Sequence, residues 1–412
     1  MKLYCHLFQT YHKFSILINT NDKLLSIAYW CQRSTRTNYL RYEPKARSSY
    51  WDYVKTSSLL LIVIFLGLVS CKENPDTPFW PPEKSPEIVA QKVIKDLLNR
   101  GEYMMYETSD ATAVHYAEVC AAYGAARISR LLSDSVILSQ LSERYLRVLT
   151  DSIVNTANHV DANVYGILPL ELHMQTPDSV FFQQGMELAD GQWIDPLPNG
   201  LTNQTRFWID DVWMIGSLQI QAYRATGKTI YLDRAAIETI AYLEKLQQSN
   251  GLFHHGENAP FFWGRGNGWM AAGLAVVLSE LPADHVYFNQ ISEGYETMMK
   301  SLIDYQAEDG MWRQLVNEPS AWKETSCTAM FGYAISVGVK RNILTKKEYE
   351  TSYQKAWLAL TEYVNKEGKI TDVCVGTGQS TDINYYLDRP TITGDFHGQA
   401  PLLWFAYSLL SN

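Results

Sequence analysis

Twelve successive segments carry apolar residues at three- and four-residue spacing, strand-like alternation between them is scarce, and Gly or Pro falls at the junctions. Together these predict an all-α protein. Twelve antiparallel helices taken in pairs predict an (α/α)6 barrel, with six inner helices inside six outer ones. The inner helices should be the more apolar, and their connecting loops should form one rim around a pocket. The other arrangement is an open α-solenoid, but the chain lacks a fixed-period repeat of the TPR or HEAT kind.

The 412-residue chain starts differently from the way it continues. Residues 1–53 scatter Tyr, Arg, Lys and Ser without a sustained period. Lys55 then precedes an apolar run over 59–69 that ends in Ser70-Cys71. A short apolar run behind a positive charge, followed by small residues, is the pattern of a secretion signal and is too short to cross a bilayer comfortably. Its LVSC ending resembles a bacterial lipobox, with Cys71 as the lipidated residue. That implies a lipid-anchored protein of the bacterial cell envelope, in the periplasm or on the outer surface. Such a signal belongs at an N-terminus, so translation is expected to start near Val54, with 1–53 a mis-assigned start or a disordered extension. The alternative is a true membrane anchor with a cytoplasmic tail. Residues 72–86, rich in Pro and charge, read as a tether.

The domain over 87–412 holds the periodic segments: 87–99, 114–132, 136–155, 162–175, 178–192, 206–226, 229–247, 267–281, 290–306, 325–340, 346–365 and 396–410. Ile237, Ile240, Ala241, Leu243 and Leu246 illustrate the spacing. Breaks fall at Pro196-Leu197-Pro198, Asn250-Gly251, Asp309-Gly310 and Glu367-Gly368.

Composition narrows the function. A formal net charge of −9 with no basic block in the folded part argues against a nucleic-acid partner, but leaves local cations for a small anionic substrate. The 12 Trp and 26 Tyr suit stacking on sugar rings, and equally a large core. None of the six Cys stands in CxxC or Cys/His metal spacing, so buried free thiols are expected, and no zinc.

The chemistry is expected at RFWIDDVWMI over 206–215. Asp210 and Asp211 lie among Trp208, Ile209, Val212, Trp213 and Met214, and a dry setting resists ionisation of a carboxyl. That makes a candidate general acid or base near neutral pH. On a helix, neighbours point about 100° apart, so one Asp can face a cavity while the other caps or pairs elsewhere. A plain helix start is the competing explanation. The loop NGLFHHGENAPFFWGRGNGW over 250–269 brings His254, His255, Trp263, Arg265 and Trp269 together between glycines. Arg265 offers a planar fork that matches a carboxylate. In DFHG, Asp395 reads as an N-cap and His397 as either a first-turn residue or a ligand. Asp161 reads as an N-cap, or as the second carboxylate of a pair with Asp210 if both face one cavity.

FWIDDVWM, QAYRATG, NGLFHHG, FFWGRGNGWMAAG, ETSCTAMFGYA, DVCVGTG and DFHG, in this order from about residue 87 onward, resemble the unsaturated glucuronyl/rhamnogalacturonyl hydrolases of glycoside hydrolase family 105, related to family 88. The resemblance implies an (α/α)6 barrel without metal or cofactor. It implies an acidic oligosaccharide substrate ending in a 4,5-unsaturated uronic acid left by a polysaccharide lyase. One Asp protonates C4 of the enol ether, water adds at C5, and the resulting hemiketal opens and releases the next sugar. Asp210 matches the catalytic residue, first acid and then base, and Asp161 the second acid. His255 and Arg265 match substrate-binding residues, Trp263 and Trp269 the pocket aromatics, and Trp208 the ring beside the catalytic Asp. Only nine residues separate His255 from Arg265, fewer than in some members, on the side where the next sugar would lie. The competing readings are an ordinary inverting glycosidase using Asp161 and Asp210, and a surface lipoprotein that binds glycans without turnover.

Overall fold

The computed structural model describes residues 13–20, 23–30, 80–101, 103–109, 112–150 and 155–411. The chain divides into two units, Met1–Pro78 and Phe79–Asn412. In the first, β1 (Lys13–Thr20) pairs antiparallel with β2 (Lys23–Trp30). This departs from the expectation of no sustained period. The backbone register sets Phe14, Ile16 and Ile18 opposite Tyr29, Ile27 and Leu25. The apolar run over 59–69 and Cys71 lie outside the described residues.

Among the described residues the second unit is built on twelve helices of nine or more residues. The odd-numbered members are α1 (Pro86–Leu98), α3 (Ser135–Thr150), α5 (Ser179–Gly191), α7 (Ile230–Leu246), α9 (Phe288–Tyr305) and α11 (Lys346–Thr361). The even-numbered members are α2 (Tyr116–Leu132), α4 (Ile167–Gln175), α6 (Asp211–Thr226), α8 (Gly264–Glu280), α10 (Thr325–Lys340) and α12 (Phe396–Leu410). Each even helix packs on the next, and α12 packs back on α2, so the inner ring closes. That closure makes an (α/α)6 barrel and excludes the open solenoid. The even helices are buried nearly all round, as α8 and α12 illustrate; the odd ones bury one face.

The inner helices approach closely where glycine removes a side chain. A Cβ on Gly273 of α8 would lie 2.8 Å from Val212 Cγ1 and 3.1 Å from the Trp213 nitrogen of α6. Local sequence starts several helices: Asp178 accepts from the amides of Val180 and Phe181, Glu324 from those of Ser326 and Cys327, and Asp395 from that of His397.

Three expectations need correction. The tether does not extend to 86: Trp80 packs edge-on against Trp357 at 6.4 Å, a 3-10 turn spans Pro82–Lys84, and Ser85 caps α1. The segment 162–175 is broken into a turn over Val160–Asn163, a 3-10 turn over Val164–Gly166, and α4. The segment 206–226 is helical only from Asp211, because Phe207 takes a left-handed φ of 53° that no helix accepts. Among the described residues no helix is long and apolar enough to cross a membrane. Cys120, Cys327 and Cys374 are buried free thiols, as expected.

Candidate active site

The N-terminal ends of the inner helices gather at one mouth of the barrel. Tyr116, Asp211, Arg265 and His397 all fall in the first turns of such helices, and Asp161 in the turn that leads to α4. Helix N-termini carry positive potential, which favours an anionic ligand there.

Asp210 and Asp211 divide the work. Asp211 is fully buried and spoken for: Arg206 Nη2 donates to it at 2.5 Å and the Tyr242 hydroxyl at 2.6 Å. Asp210 closes the loop before α6, and its Oδ2 has no hydrogen-bond partner among the described residues. Burial first, then the charges of Asp211 and Asp161, push its carboxyl up to about 7. A group so placed holds its proton near neutrality and can give it up.

Asp161 enters the same electrostatic neighbourhood, but it does not cap a helix. His159 takes that position, its ring accepting from the Asp161 amide. The Asp161 carboxylate instead receives Arg206, with Nη2 to Oδ1 at 3.3 Å and Nη1 to Oδ2 at 3.5 Å. Arg206 therefore ties Asp161 to Asp211 in one cation-bridged pair, and its guanidinium lies over Trp208 at 5.4 Å.

His255 faces Asp210 from the opposite wall, Nε2 to Oδ2 at 3.9 Å. Burial and then Arg265 push its imidazole down to about 3, so it is neutral through the working range. The Tyr386 hydroxyl accepts from the Ser380 amide at 3.2 Å and lies 2.8 Å from His255 Nδ1. His255 Nε2 also has no hydrogen-bond partner among the described residues. Two buried unpaired polar atoms facing each other mark where a ligand's polar groups belong.

The aromatic residues separate by depth. Trp208 is half-buried and meets His255 edge-on at 5.9 Å. Trp263 packs against His255 at 4.5 Å and under the Arg265 guanidinium at 4.9 Å. Trp269 is fully buried among Trp213 and Trp404 at 5.9 and 5.7 Å and meets Tyr116 edge-on at 6.3 Å.

Arg265 does not present the open fork expected of it. Its two terminal nitrogens donate to the carbonyls of Cys374 and Val375, the latter at 2.6 Å. It braces the 374–378 loop and supplies a fixed positive charge that opposes ionisation of His255 and favours that of Asp210.

His397 belongs to the site through a neighbour. Its Nε2 lies 2.6 Å from the Tyr116 hydroxyl and its Nδ1 2.6 Å from Asp395 Oδ1.

The family model of Glycosyl Hydrolase Family 88 matches residues 89–412. The chain belongs to glycosyl hydrolase family 88. This family 88 chain is 31% identical over 111 residues to an unsaturated 3S-rhamnoglycuronyl hydrolase of Formosa agariphila, a match covering 26% of the chain and only 29% of that relative's length. It is 22% identical over 264 residues to the unsaturated rhamnogalacturonyl hydrolase YesR of Bacillus subtilis, covering 59% of the chain and 74% of the relative. A solved structure of a possible GH105 family member from Salmonella enterica superposes with a TM-score of 0.72 at 19% identity, covering 82% of this chain and 98% of that one. At that identity the likeness is one of fold.

Tyr116, Arg206, Tyr242 and Tyr386 were not singled out from the sequence. Arg206 had a signal, being the one cation beside the Asp pair. The three tyrosines had none, because each reaches the site through contacts 31 to 281 residues away in the chain.

Proposed function

We propose that the protein releases a terminal 4,5-unsaturated uronic acid from lyase-generated oligosaccharides by hydrating the C4=C5 enol ether. The observation that carries this reading is the inequality of the carboxyls. Asp210 holds a proton near neutral pH, while Asp161 and Asp211 are both engaged by Arg206. An enol ether needs one proton donor close to its pKa, whereas an ordinary inverting glycosidase needs two free carboxyls flanking a water. Asp210 protonates C4. Its carboxylate then takes a proton from the water that bonds to C5, and the hemiketal opens to free the next sugar. Neutral His255 offers its unpaired Nε2 to the substrate across from Asp210. The substrate's carboxylate is drawn to the helix N-termini and the Arg265 charge. Substrates ending in galacturonyl or glucuronyl units fit this chemistry equally.

The test follows the near-ultraviolet absorbance of the conjugated double bond with the full chain and unsaturated disaccharides from several acidic polysaccharides. Loss of absorbance with one of them, abolished in Asp210→Asn, is expected. Cleavage of saturated oligosaccharides alone would favour the ordinary glycosidase, and no turnover of either would leave glycan binding. The LVSC segment supports a further reading, that the protein is lipid-anchored to the cell envelope through Cys71. Metabolic labelling with a fatty-acid analogue should mark the wild type and not Cys71→Ser; equal labelling would sink it.

A further inference from the structure

The segments that lead into α2 and α12 enclose a cavity of about 400 Å³, within the range of small-ligand sites. Its lining includes Arg100, His115, Lys369, Thr393, Gly394 and Asp395, and none of Asp161, Asp210, His255 or Arg265. Because His115 directly precedes α2 and residues 393–395 directly precede α12, it lies at the same end of the barrel as Asp210. The backbone around it is tied down. The Gly394 amide donates to the Ile370 carbonyl at 2.6 Å, the His115 amide to the Tyr103 carbonyl at 2.7 Å, and the Lys369 amide to Asn365 Oδ1 at 2.9 Å.

Two cationic side chains meet over Gly394. A Cβ there would lie 2.7 Å from Arg100 Nη2 and 3.1 Å from Lys369 Cδ, at a φ of 77° that glycine adopts freely. Arg100 is engaged: it pairs with Asp96, its Nη1 donates to the Gly394 carbonyl at 2.6 Å, and its guanidinium lies over Phe396 at 4.7 Å. The Lys369 ammonium has no ion-pair or hydrogen-bond partner among the described residues. The carboxylate in the lining, Asp395, is engaged at the start of α12, where its Oδ1 accepts from the His397 amide at 2.8 Å and lies 2.6 Å from His397 Nδ1. His115 adds a buried ring nitrogen, Nδ1, that has no hydrogen-bond partner among the described residues. An unpaired ammonium, an unpaired buried nitrogen and the N-terminus of the 15-residue α12 together favour a negative group in this cavity.

We propose that this rim cavity binds an oxyanion, a carboxylate or a sulfate ester, carried by a sugar of the substrate beyond its unsaturated unit. This rests on the hydration reading, in which the unsaturated unit's own carboxylate is drawn to Arg265. The rim cavity serves a second acidic group on the same chain. Lys369 is the residue that selects it. An ammonium is a point charge without a planar fork, so it accepts a flat carboxylate and a tetrahedral sulfate alike. The fork of Arg100 is already committed to Asp96 and Gly394, so the cavity reads charge more than shape.

The experiment uses the full chain. Binding is titrated calorimetrically in Asp210→Asn, which leaves the substrate unconsumed, with unsaturated di- and trisaccharides that are neutral or acidic beyond the unsaturated unit. Adding Lys369→Gln should weaken the acidic ones about tenfold, leave the neutral ones within about twofold, and leave the thermal melt unchanged. In a second arm, inorganic sulfate should move the histidine NMR signal of His115, assigned by its loss in His115→Gln, in the wild type and not in Lys369→Gln. A His115 signal unmoved by sulfate, or moved equally in Lys369→Gln, overturns the site. Sulfate that moves His115 while Lys369→Gln leaves acidic and neutral oligosaccharides equally bound shows a site for free anions and overturns its role in reading the glycan. A wild type that turns over no unsaturated disaccharide overturns the hydration reading. That failure is distinguishable, because the sulfate arm involves no substrate.

Discussion

The environment of Asp210 departs far from what an isolated carboxyl would find. With an ordinary aspartate at 3.8 and Asp210 at about 7, its acid form survives to neutrality and is lost above it. Turnover should therefore fall as pH rises through about 7, read from kcat against pH. Asp161→Asn removes one of the charges that raise Asp210 and should move that limb to lower pH; an unmoved limb would show that the two carboxyls are uncoupled. The same shift bears on stability. A carboxyl raised in the folded state resists ionising there while the unfolded chain ionises freely, so the wild type loses stability as pH climbs from about 4 to about 7. Asp210→Asn escapes this and should be the more stable protein above neutrality, by on the order of 4 kcal/mol, with no difference in strong acid. Denaturant melts at several pH values check it. Tyr242→Phe acts in the other direction. It strips a hydrogen-bond donor from buried Asp211 and an acceptor from the Phe207 amide, and should destabilise the protein by about 1–3 kcal/mol in the same melts.

Among the elements, the turn ahead of α6 decides whether Asp210 can work. Left-handed Phe207 ends the run into the helix early, so Asp210 sits at its threshold while Asp211 turns inward to Arg206. The first turn of α6, directly after it, is seated on α8 through Gly273, where a methyl group would press on Val212 and on the backbone of Trp213. Gly273→Ala should cost about 1–3 kcal/mol in unfolding melts and lower kcat as well, because the displaced backbone leads directly to Asp210. A loss of stability with full activity would mean that the turn is set independently of α8.

At the scale of the molecule, the closed inner ring makes the site. Five chain segments spread from Tyr116 to His397 reach one mouth only because α12 returns to α2. Deleting Phe396–Leu410 removes the closing helix along with Trp404, which stacks on Trp213 at 4.0 Å. The truncated chain should lose its cooperative thermal transition in calorimetry, whereas an open solenoid would merely lose its last repeat.

Much of this protein is legible along the chain, for a physical reason. Helix periodicity, Asp and Ser caps and glycine breaks act between residues three or four apart, so all twelve helices and the drying of Asp210 by its neighbours can be read locally. The segments that could not be read are those where a distant contact overrules local preference. Phe207 takes a left-handed turn, held by Tyr242. Arg265 offers a fork in sequence and spends it on the carbonyls of Cys374 and Val375. His397 looks like a first-turn residue until Tyr116 and Asp395 are seen on either side of it. The sequence by itself determined a succession of helices and an aspartate in a dry setting. Tertiary structure alone decided which charges surround that aspartate, because desolvation and Coulomb interactions depend on distance in space and not on separation along the chain.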